Sequence, residues 1–332
     1  KIVKKKKIAV SIFSVLLASF IFAEEPVADF EIDFSALKNE SPAKTKIISS
    51  ENKKKTSAQK NYIIPEPKRK DIGISGVFKE PTLKYRERYL TSSNRQWLAD
   101  ILYDSIPYRP YIRAKLKEKK MPLYLQYLPI VESNYKPTAV SGSGATGLWQ
   151  FMANSMHPYL KKNEYFDERR DPWKETDAAL SKLAENFKMF NDWHLAIAAY
   201  NMGAGAVGRI VKANPGKDYW ALAEKGLLSK QASEYIPKLI AIADIVENSD
   251  FYGAIEIGVA DKRIEGVPPE KFSYLTIKGS IKLSTVAKAA GISLETVKML
   301  NIELLKEMTP PETTYRLRLP AGKAKVAAEN LR

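Results

Sequence analysis

The fold class is decided by residues 124–135, which read YLQYLPIVESNY. Apolar side chains recur there at positions 124, 127, 128 and 131, the i, i+3, i+4, i+7 spacing that turns one stripe of a helix towards a core. The same spacing recurs at 193–200 and 239–246, and no persuasive strand alternation interrupts it between about residues 85 and 252. We therefore predict a mainly α fold, with a helical domain over residues 85–255.

One carboxylate in this segment has an unusual setting. At about 100° per residue, Glu132 falls roughly 90° from the middle of the apolar stripe, at the rim of the buried face. Pro129 removes a backbone donor inside the predicted helix and is expected to kink it. A carboxylic acid that is partly withdrawn from water keeps its proton closer to neutral pH. Glu132 is therefore a candidate general acid, although alone it also fits a solvated acid at a helix end.

A loop of small residues, SGSGATG at 141–147, follows the acid and leads into LWQF at 148–151. Residues 142–147 formally match the dinucleotide fingerprint G-x-G-x-x-G, but that motif requires a preceding strand, and here a helix and a turn precede it. We interpret the glycines as points where the backbone approaches a ligand or a neighbouring helix. Gln150 and Asn201 carry amides suited to the hydroxyl and acetamido groups of sugars. We expect the hydroxyl of Tyr200 to reach the same binding cleft as these two amides.

The N-terminus has the pattern of an export signal. Residues 1–23 contain five lysines, an uncharged run of 15 residues at 8–22 and a small residue before Glu24. The run is short for a spanning helix, which needs roughly 17–25 residues, so cleavage and retention as a membrane attachment both stay open. Residues 24–84 are rich in polar and charged side chains, and we expect a disordered or extended linker. The protein is expected to be exported to the periplasm or cell envelope.

The charge balance is strongly basic. The chain has 53 Lys and Arg against 38 Asp and Glu, a net charge of +15. This favours an acidic partner such as nucleic acid, anionic lipid or an anionic wall polymer, and export disfavours nucleic acid. The absence of cysteine excludes a disulfide framework and a cysteine nucleophile. With only two histidines and no carboxylates at metal-ligand spacing, we predict neither a metal nor a cofactor.

Residues 271–320 predict a small α+β module. The pattern gives a strand at 274–278, a helix at 283–290 that ends at Gly291, a second helix through residue 300 with Ser293 as its N-cap, and a strand at 315–319. This strand-helix-helix-strand order occurs once, so no repeat array is predicted.

Four ordered motifs resemble one family. Glu132-Ser133, the sequence GLWQF at 147–151, AYNMG at 199–203 and the later Tyr235 resemble the successive motifs of the family 1 lytic transglycosylases, which carry an SLT domain. Residues 121–252 look most like the membrane-bound lytic murein transglycosylase D branch. The resemblance implies a lysozyme-like helical catalytic domain with Glu132 as the single catalytic acid and base. The substrate-binding residues that it implies are Ser133, Gln150, Tyr200, Asn201 and Tyr235.

The resemblance also implies a reaction. This family cleaves the β-1,4 bond between N-acetylmuramic acid and N-acetylglucosamine in peptidoglycan without water and leaves a 1,6-anhydro end. An ordinary glycosidase uses two carboxylates, about 5–5.5 Å apart when retaining and about 6.5–9.5 Å apart when inverting, whereas the motifs here offer one. A hydrolytic muramidase on the same scaffold and a non-catalytic peptidoglycan-binding protein remain as alternatives.

Two further segments extend the resemblance. The sequence FDERRDP at 166–172 also looks like the D branch, and we interpret its alternating charges as a structural ion-pair and helix-start cluster. The C-terminal module is similar to a LysM domain, a small binder of glycans that contain N-acetylglucosamine. Where that family usually shows Gly-Asp-Thr-Leu, this chain has GSIKL at 279–283. Glycan binding and a purely structural packing role therefore both stay open for the module.

Overall fold

The computed structural model describes residues 67–331. The predicted export signal (1–23) and residues 24–66 of the predicted linker lie outside the described residues. Over residues 67–84 the prediction of a disordered or extended linker is wrong, because Ile74 and Val77 are buried and the first helix begins at Glu80. The described chain begins with a helical domain and ends with a small module, so the prediction of a mainly α fold with a small α+β module is confirmed. The helices of the first part are α1 (Glu80–Tyr89), α2 (Ser92–Asp104), α3 (Arg109–Glu118), α4 (Leu128–Ser133), α5 (Pro172–Phe190), α6 (Trp193–Met202), α7 (Ala204–Ala213), α8 (Tyr219–Glu224), α9 (Lys230–Glu247) and α10 (Ile255–Lys262).

The long helix α9 lies at the centre of the helical domain. Nearly all of its residues between 235 and 246 are buried, and it packs against α1, α4 and α6. The hydroxyl of Ser229 accepts a hydrogen bond from the backbone N–H of Ala232 at 3.1 Å and caps its first turn. A helix that is apolar on most sides must be covered on most sides, so the neighbouring helices surround α9. No helix within residues 67–331 is both long and apolar enough to cross a membrane.

Glu132 lies near the end of a short helix. The residues before it do not form the single continuous helix that the sequence predicts. Leu123–Tyr127 forms a 3₁₀ helix, and α4 begins with the next residue. Pro129 therefore lies in the first turn of α4, where its missing N–H has no intrahelical acceptor to lose. The predicted kink at Pro129 is wrong for this reason. Asn134 then takes a left-handed φ of 54° and ends the helix directly after Glu132 and its neighbour.

The segment 166–172 has the structural role predicted for it. Asp167 and Arg169 form a buried ion pair with an N–O distance of 2.7 Å. Asp171 accepts hydrogen bonds from the backbone N–H groups of Trp173 and Lys174, and so caps the start of α5. The prediction of an ion-pair and helix-start cluster is confirmed.

The C-terminal module agrees closely with its prediction. Its strands are antiparallel, with Leu275 opposite Leu317. Gly291 ends the first helix with a φ of 62°, and the Ser293 hydroxyl caps the second by accepting from the N–H of Thr296 at 3.0 Å. The final helix was not predicted. The elements are β1 (Phe272–Lys278), α11 (Leu283–Ala290), α12 (Leu294–Leu300), β2 (Thr314–Pro320) and α13 (Lys323–Asn330).

A buried ion pair joins this module to the helical domain. Arg318 on β2 donates to Oδ2 of Asp171 at 2.7 Å, and its guanidinium lies 4.5 Å from the ring centroid of Trp173. Arg318 is 3% exposed and Asp171 is fully buried. The chain from Lys68 onwards therefore forms one compact unit. Two backbone hydrogen bonds run beside the ion pair, from Asp167 N–H to Glu303 O at 2.9 Å and from Leu305 N–H to Tyr165 O at 2.8 Å.

Candidate active site

A groove in the helical domain has Glu132 in its wall. The groove encloses about 660 Å³ and lies between α1, α2, α4, α5, α6, α9 and the loop that follows α4. Aromatic, amide and hydroxyl side chains dominate its lining, together with three cations. Among the described residues, Glu132 is the only acid in that lining. The lining includes Tyr89, Asn94, Trp97, Gln150, Phe151, Tyr200, Asn201, Gln231 and Tyr235.

Glu132 is half-buried, and one side chain holds its carboxyl group. The hydroxyl of Tyr235 donates a hydrogen bond to Oε1 of Glu132. Burial raises the pKa of Glu132 to about 7, because water no longer stabilises the charge, and the hydrogen bond from Tyr235 opposes part of this rise. Near neutral pH the group can therefore both give and take a proton.

Tyr235 reaches Glu132 from the buried side of α9. Its side chain is 4% exposed. Burial, together with the adjacent Glu132, raises the pKa of the Tyr235 phenol well above its ordinary value. The phenol therefore stays protonated, and it acts as a fixed donor to the carboxylate.

Gln150 is held at the groove by the loop that precedes it. Its backbone takes a φ of 54°, and its amide nitrogen donates to the carbonyl of Gly147 at 2.9 Å. Gly147 has a φ of 101°, and a Cβ there would lie 1.8 Å from the carbonyl oxygen of Arg169. Only glycine fits such a position. The predicted close approach of backbone to a neighbour is confirmed at Gly147.

Tyr200 and Asn201 come from the end of α6. The hydroxyl of Tyr200 donates to the carbonyl of Trp149 at 2.9 Å, and its ring meets Phe151 edge-on with centroids 6.2 Å apart. Asn201 lines the groove beside it. Tyr200 thus fixes the loop after α4 to α6 while one part of it faces the groove.

Ser133 lies elsewhere. Its hydroxyl donates to the carbonyl of Leu148 at 2.8 Å, and its side chain is buried outside the groove lining. The structure therefore brings five of the six predicted site residues together around one groove. Ser133 instead connects the end of α4 to the loop. The five residues in the groove are Glu132, Gln150, Tyr200, Asn201 and Tyr235.

One buried acid near the groove, Glu175, has no signal in the sequence that identifies it. It lies in the first turn of α5, fully buried, and its carboxyl oxygens lie about 2.4–2.5 Å from where a Cβ on Gly147 would be. Burial raises the pKa of Glu175 well above its ordinary value, and the backbone N–H groups of the loop at 148, 149 and 151 oppose the rise. In the sequence it is indistinguishable from an ordinary acid in the first turn of a helix.

Three further groove residues were also not predicted. Tyr89 and Trp97 stack with ring centroids 5.7 Å apart, and the ammonium of Lys182 lies 5.4 Å from the Phe151 ring.

Within residues 67–331, no group of histidines and acids is arranged to hold a metal ion.

Two family profiles match the chain. The transglycosylase SLT domain matches residues 109–223, and the LysM-like domain of the lytic transglycosylase MltD matches residues 271–332.

Known proteins are similar to parts of the chain. The membrane-bound lytic murein transglycosylase D of Escherichia coli strain K12 is 34% identical over 222 residues, which are 65% of this chain and 46% of the relative. A putative tributyltin chloride resistance protein of Alteromonas sp. strain M-1 is 36% identical over 117 residues, 33% of this chain and 56% of the relative. The chain therefore spans about half the length of the curated relatives it matches. Among solved structures, the 70 kDa soluble lytic transglycosylase of Escherichia coli gives a TM-score of 0.34 at 18% identity, over 57% of this chain and 31% of that one.

Proposed function

We propose that the chain is a peptidoglycan lytic transglycosylase, because residues 109–223 match the transglycosylase SLT domain and residues 271–332 match the LysM-like domain of the lytic transglycosylase MltD. Its substrate is the β-1,4 bond between N-acetylmuramic acid and N-acetylglucosamine, and its product is a 1,6-anhydro end. The observation that carries this proposal is one acid, Glu132, with a pKa of about 7 in a groove whose described lining holds no second carboxylate.

In the first step, the protonated Glu132 gives its proton to the glycosidic oxygen. The bond from that oxygen to C1 of the muramic acid breaks, and the N-acetylglucosamine leaves as an alcohol. A general acid with a pKa near the working pH is well matched to this task, because it is still protonated and yet donates readily. The departing sugar leaves positive charge on C1.

In the second step, the carboxylate of Glu132 takes the proton from the C6 hydroxyl of the same muramic acid. The C6 oxygen forms a bond to C1 and closes the 1,6-anhydro ring. Glu132 regains the proton that it lost, and no water is consumed. Since the nucleophile belongs to the substrate, its proximity can lower the barrier by roughly 7–11 kcal/mol at best. One carboxyl group therefore suffices.

The other groove residues position these groups. Tyr235 orients the carboxyl through its hydrogen bond to Oε1. Gln150 and Asn201 present amide groups to the sugar, and Tyr200 holds the loop that carries Gln150. Ser133 acts from outside the groove by fixing the same loop to α4.

The cell envelope is the compartment in which such a substrate lies, and we propose that the protein acts there after export through residues 1–23. The LysM-like domain and the basic charge of the chain favour peptidoglycan as its partner. We further propose the division into a transglycosylase domain at 85–255 and a LysM-like module at 271–320.

Mass spectrometry of products from purified peptidoglycan tests the reaction. We expect fragments lighter by one water than those of a muramidase, without new reducing ends. Reducing ends in the same amount as the cleaved bonds would identify a hydrolase instead.

The variant Glu132→Gln tests the assignment of the acid. The amide has the same shape but cannot donate a carboxyl proton, so turnover should fall at least about 100-fold. Binding to sacculi and the circular dichroism spectrum should be unchanged. More than a tenth of the normal turnover in this variant would contradict the role of Glu132.

A further inference from the structure

The groove carries more positive charge than the proposed reaction uses. Three cations line it: Arg88, Lys182 and Lys238. Among the described residues of the lining, Glu132 is the only acid. The lining is therefore positive in both protonation states of Glu132. A cationic cleft raises the local concentration of anionic ligands. A substrate with a negative charge near the cleaved bond would be attracted by this positive lining.

Two of these cations have no carboxylate partner within the described residues. No ion pair in residues 67–331 engages Arg88 or Lys182, whereas Lys238 pairs with Glu234 at 3.0 Å. Lys182 lies against the rings of Phe151 and Tyr200, with its ammonium 5.4 and 5.5 Å from their centroids. Arg88, by contrast, is exposed at the end of α1. It is the groove cation best placed to bind a charged part of the ligand.

Arg88 lies at what we term the aromatic end of the groove, formed by Arg88, Tyr89, Trp97 and Lys238. The rings of Tyr89 and Trp97 are nearly parallel, at 14°, with centroids 5.7 Å apart. Tyr85 continues the stack, 6.1 Å from Tyr89, and the ammonium of Lys238 lies 5.2 Å from the Tyr85 ring. A rigid aromatic wall beside two cations can bind an extended ligand with an apolar surface and a negative charge.

This end is connected to the reacting groups through α9. Lys238 stands three residues after Tyr235, so the two side chains lie on the same face of the helix. Tyr235 in turn holds the carboxyl of Glu132. A ligand at the aromatic end therefore lies about one helical turn from the catalytic pair. The helices α1 and α2 precede residue 109 and so lie outside the matched SLT region.

The chemistry of peptidoglycan leaves one source for a matching negative charge. Its two sugars carry hydroxyl and acetamido groups, and the lactyl carboxyl of the muramic acid is an amide once the stem peptide is attached. The free carboxylates then lie on the stem peptide alone. Guanidinium groups bind carboxylates through paired charge-assisted hydrogen bonds.

We propose that Arg88, assisted by Lys238 and the stacked pair Tyr89 and Trp97, forms a subsite for the carboxylates of the stem peptide. The groove then takes glycan strands that bear charged peptides in preference to strands with neutral ones. This inference rests on the proposed function and names the form of the substrate that the same groove selects.

The test uses the full chain and two substrates that differ only in charge. Uncrosslinked glycan strands with stem peptides are compared with the same strands after their carboxylates are converted to amides with carbodiimide and ammonia. For the unaltered protein we expect a KM about fivefold higher on the amidated strands. The preference should shrink as salt is raised, because exposed charges are screened.

The variant Arg88→Gln tests the residue. It should raise KM about fivefold on charged strands and leave KM on amidated strands unchanged within about twofold. Lys84→Gln is the matched control: it removes the same charge from the same helix, and Lys84 lies outside the groove lining. It should change neither KM.

The KM values test the subsite, and the anhydro product tests the proposed function. Equal KM values of the unaltered protein on both substrates, or an equal effect of Arg88→Gln on both, would overturn the subsite while the anhydro product still supports the reaction. A lack of anhydro product from either substrate would instead overturn the proposed function.

Discussion

At the scale of single residues, the pKa of Glu132 has an energetic consequence for folding. The carboxyl ionises near its ordinary 4.5 in the unfolded chain but at about 7 in the folded protein. Between these values the folded state binds more protons than the unfolded state, so the free energy of unfolding falls as pH rises. The cost is absent below pH 4.5 and complete above about pH 7, and it reaches at most about 3 kcal/mol. The folded protein is therefore less stable above pH 7 than it would be without this buried carboxyl group.

Glu132→Gln should reverse this loss. The amide has no charge to bury, so the variant should gain free energy of unfolding relative to the unaltered protein at pH 8, and much less at pH 4. Denaturant unfolding of both proteins at the two pH values measures the difference. An equal difference at pH 4 and pH 8 would contradict the raised pKa.

Tyr235→Phe should alter the pH dependence of catalysis. The hydrogen bond from Tyr235 favours the ionised form of Glu132, so its loss should raise the pKa of Glu132 further. The decline of kcat/KM at high pH, which follows the loss of the proton from the free enzyme, should therefore move to higher pH. The maximal rate should fall about tenfold because the carboxyl is no longer oriented.

A pH profile of kcat/KM for both proteins checks this expectation. A purely structural effect of Tyr235→Phe would lower the rate equally at every pH. A shift of the decline to lower pH would contradict the role of the hydrogen bond.

At the scale of elements, the loop between α4 and α5 depends on its contact with α5. Gly147 allows the loop to lie against the carbonyl of Arg169 and the carboxyl of Glu175. The hydroxyls of Ser133 and Tyr200 hold the carbonyls of Leu148 and Trp149. The amide of Gln150 is thereby fixed from three neighbouring helices.

Gly147→Ala should disrupt this arrangement. The φ of 101° and a Cβ contact of 1.8 Å both oppose a side chain there. We expect a loss of at least about 2 kcal/mol in the free energy of unfolding, and a loss of turnover because Gln150 moves. Gly142→Ala, in the same loop, meets nothing within 4 Å and should be nearly neutral. Equal effects of the two substitutions in thermal unfolding would contradict the role of the contact.

The elements that could be predicted from the sequence have strong local signals. Helices α11 and α12 are delimited by Gly291 and Ser293, whose conformational and capping preferences act within a few residues. The kink at Pro129 was predicted wrongly because the periodicity of 124–131 does not distinguish a 3₁₀ turn followed by a new helix from one continuous helix. Helix α13 is short, rich in alanine and lysine, and has only Ala327 buried, so it left no clear apolar stripe to detect.

The candidate site was predictable to the extent that motifs are local. Glu132, Gln150 and the end of α6 stand out in the sequence because polar groups interrupt apolar runs there. Glu175 and the Tyr89–Trp97 pair do not, because their positions depend on how distant helices pack. A buried acid and a solvated one have the same sequence when the burial comes from elsewhere in the chain.

At the scale of the whole molecule, Arg318 is one of the residues that join the C-terminal module to the helical domain. It lies between Asp171 and Glu303, both of which are buried. Burial, and then the nearby Asp171, raise the pKa of Glu303 to about 7. Asp171 also caps α5, the helix that carries Glu175 next to the loop between α4 and α5. The C-terminal module is thus in contact with the element that supports the groove.

Arg318→Met should destabilise the full chain by about 3–5 kcal/mol, because it leaves Asp171 buried without its partner. Arg316→Met, two residues earlier on the same strand and exposed, is the matched control and should cost little. Thermal unfolding followed by circular dichroism measures both. The unaltered protein should unfold in one transition from residue 68 onwards, and two well-separated transitions would contradict a joint unit.

The buried ion pair between Arg318 and Asp171 fixes the C-terminal module relative to the groove. A binding domain on a flexible linker lies at many different distances from the active site, so the fragments that such an enzyme produces vary in length. If the C-terminal module binds a glycan strand, its fixed position would set one distance along the strand between the bound sugar and the bond next to Glu132. Fragments cut from a strand bound in this way would cluster around a preferred number of disaccharides.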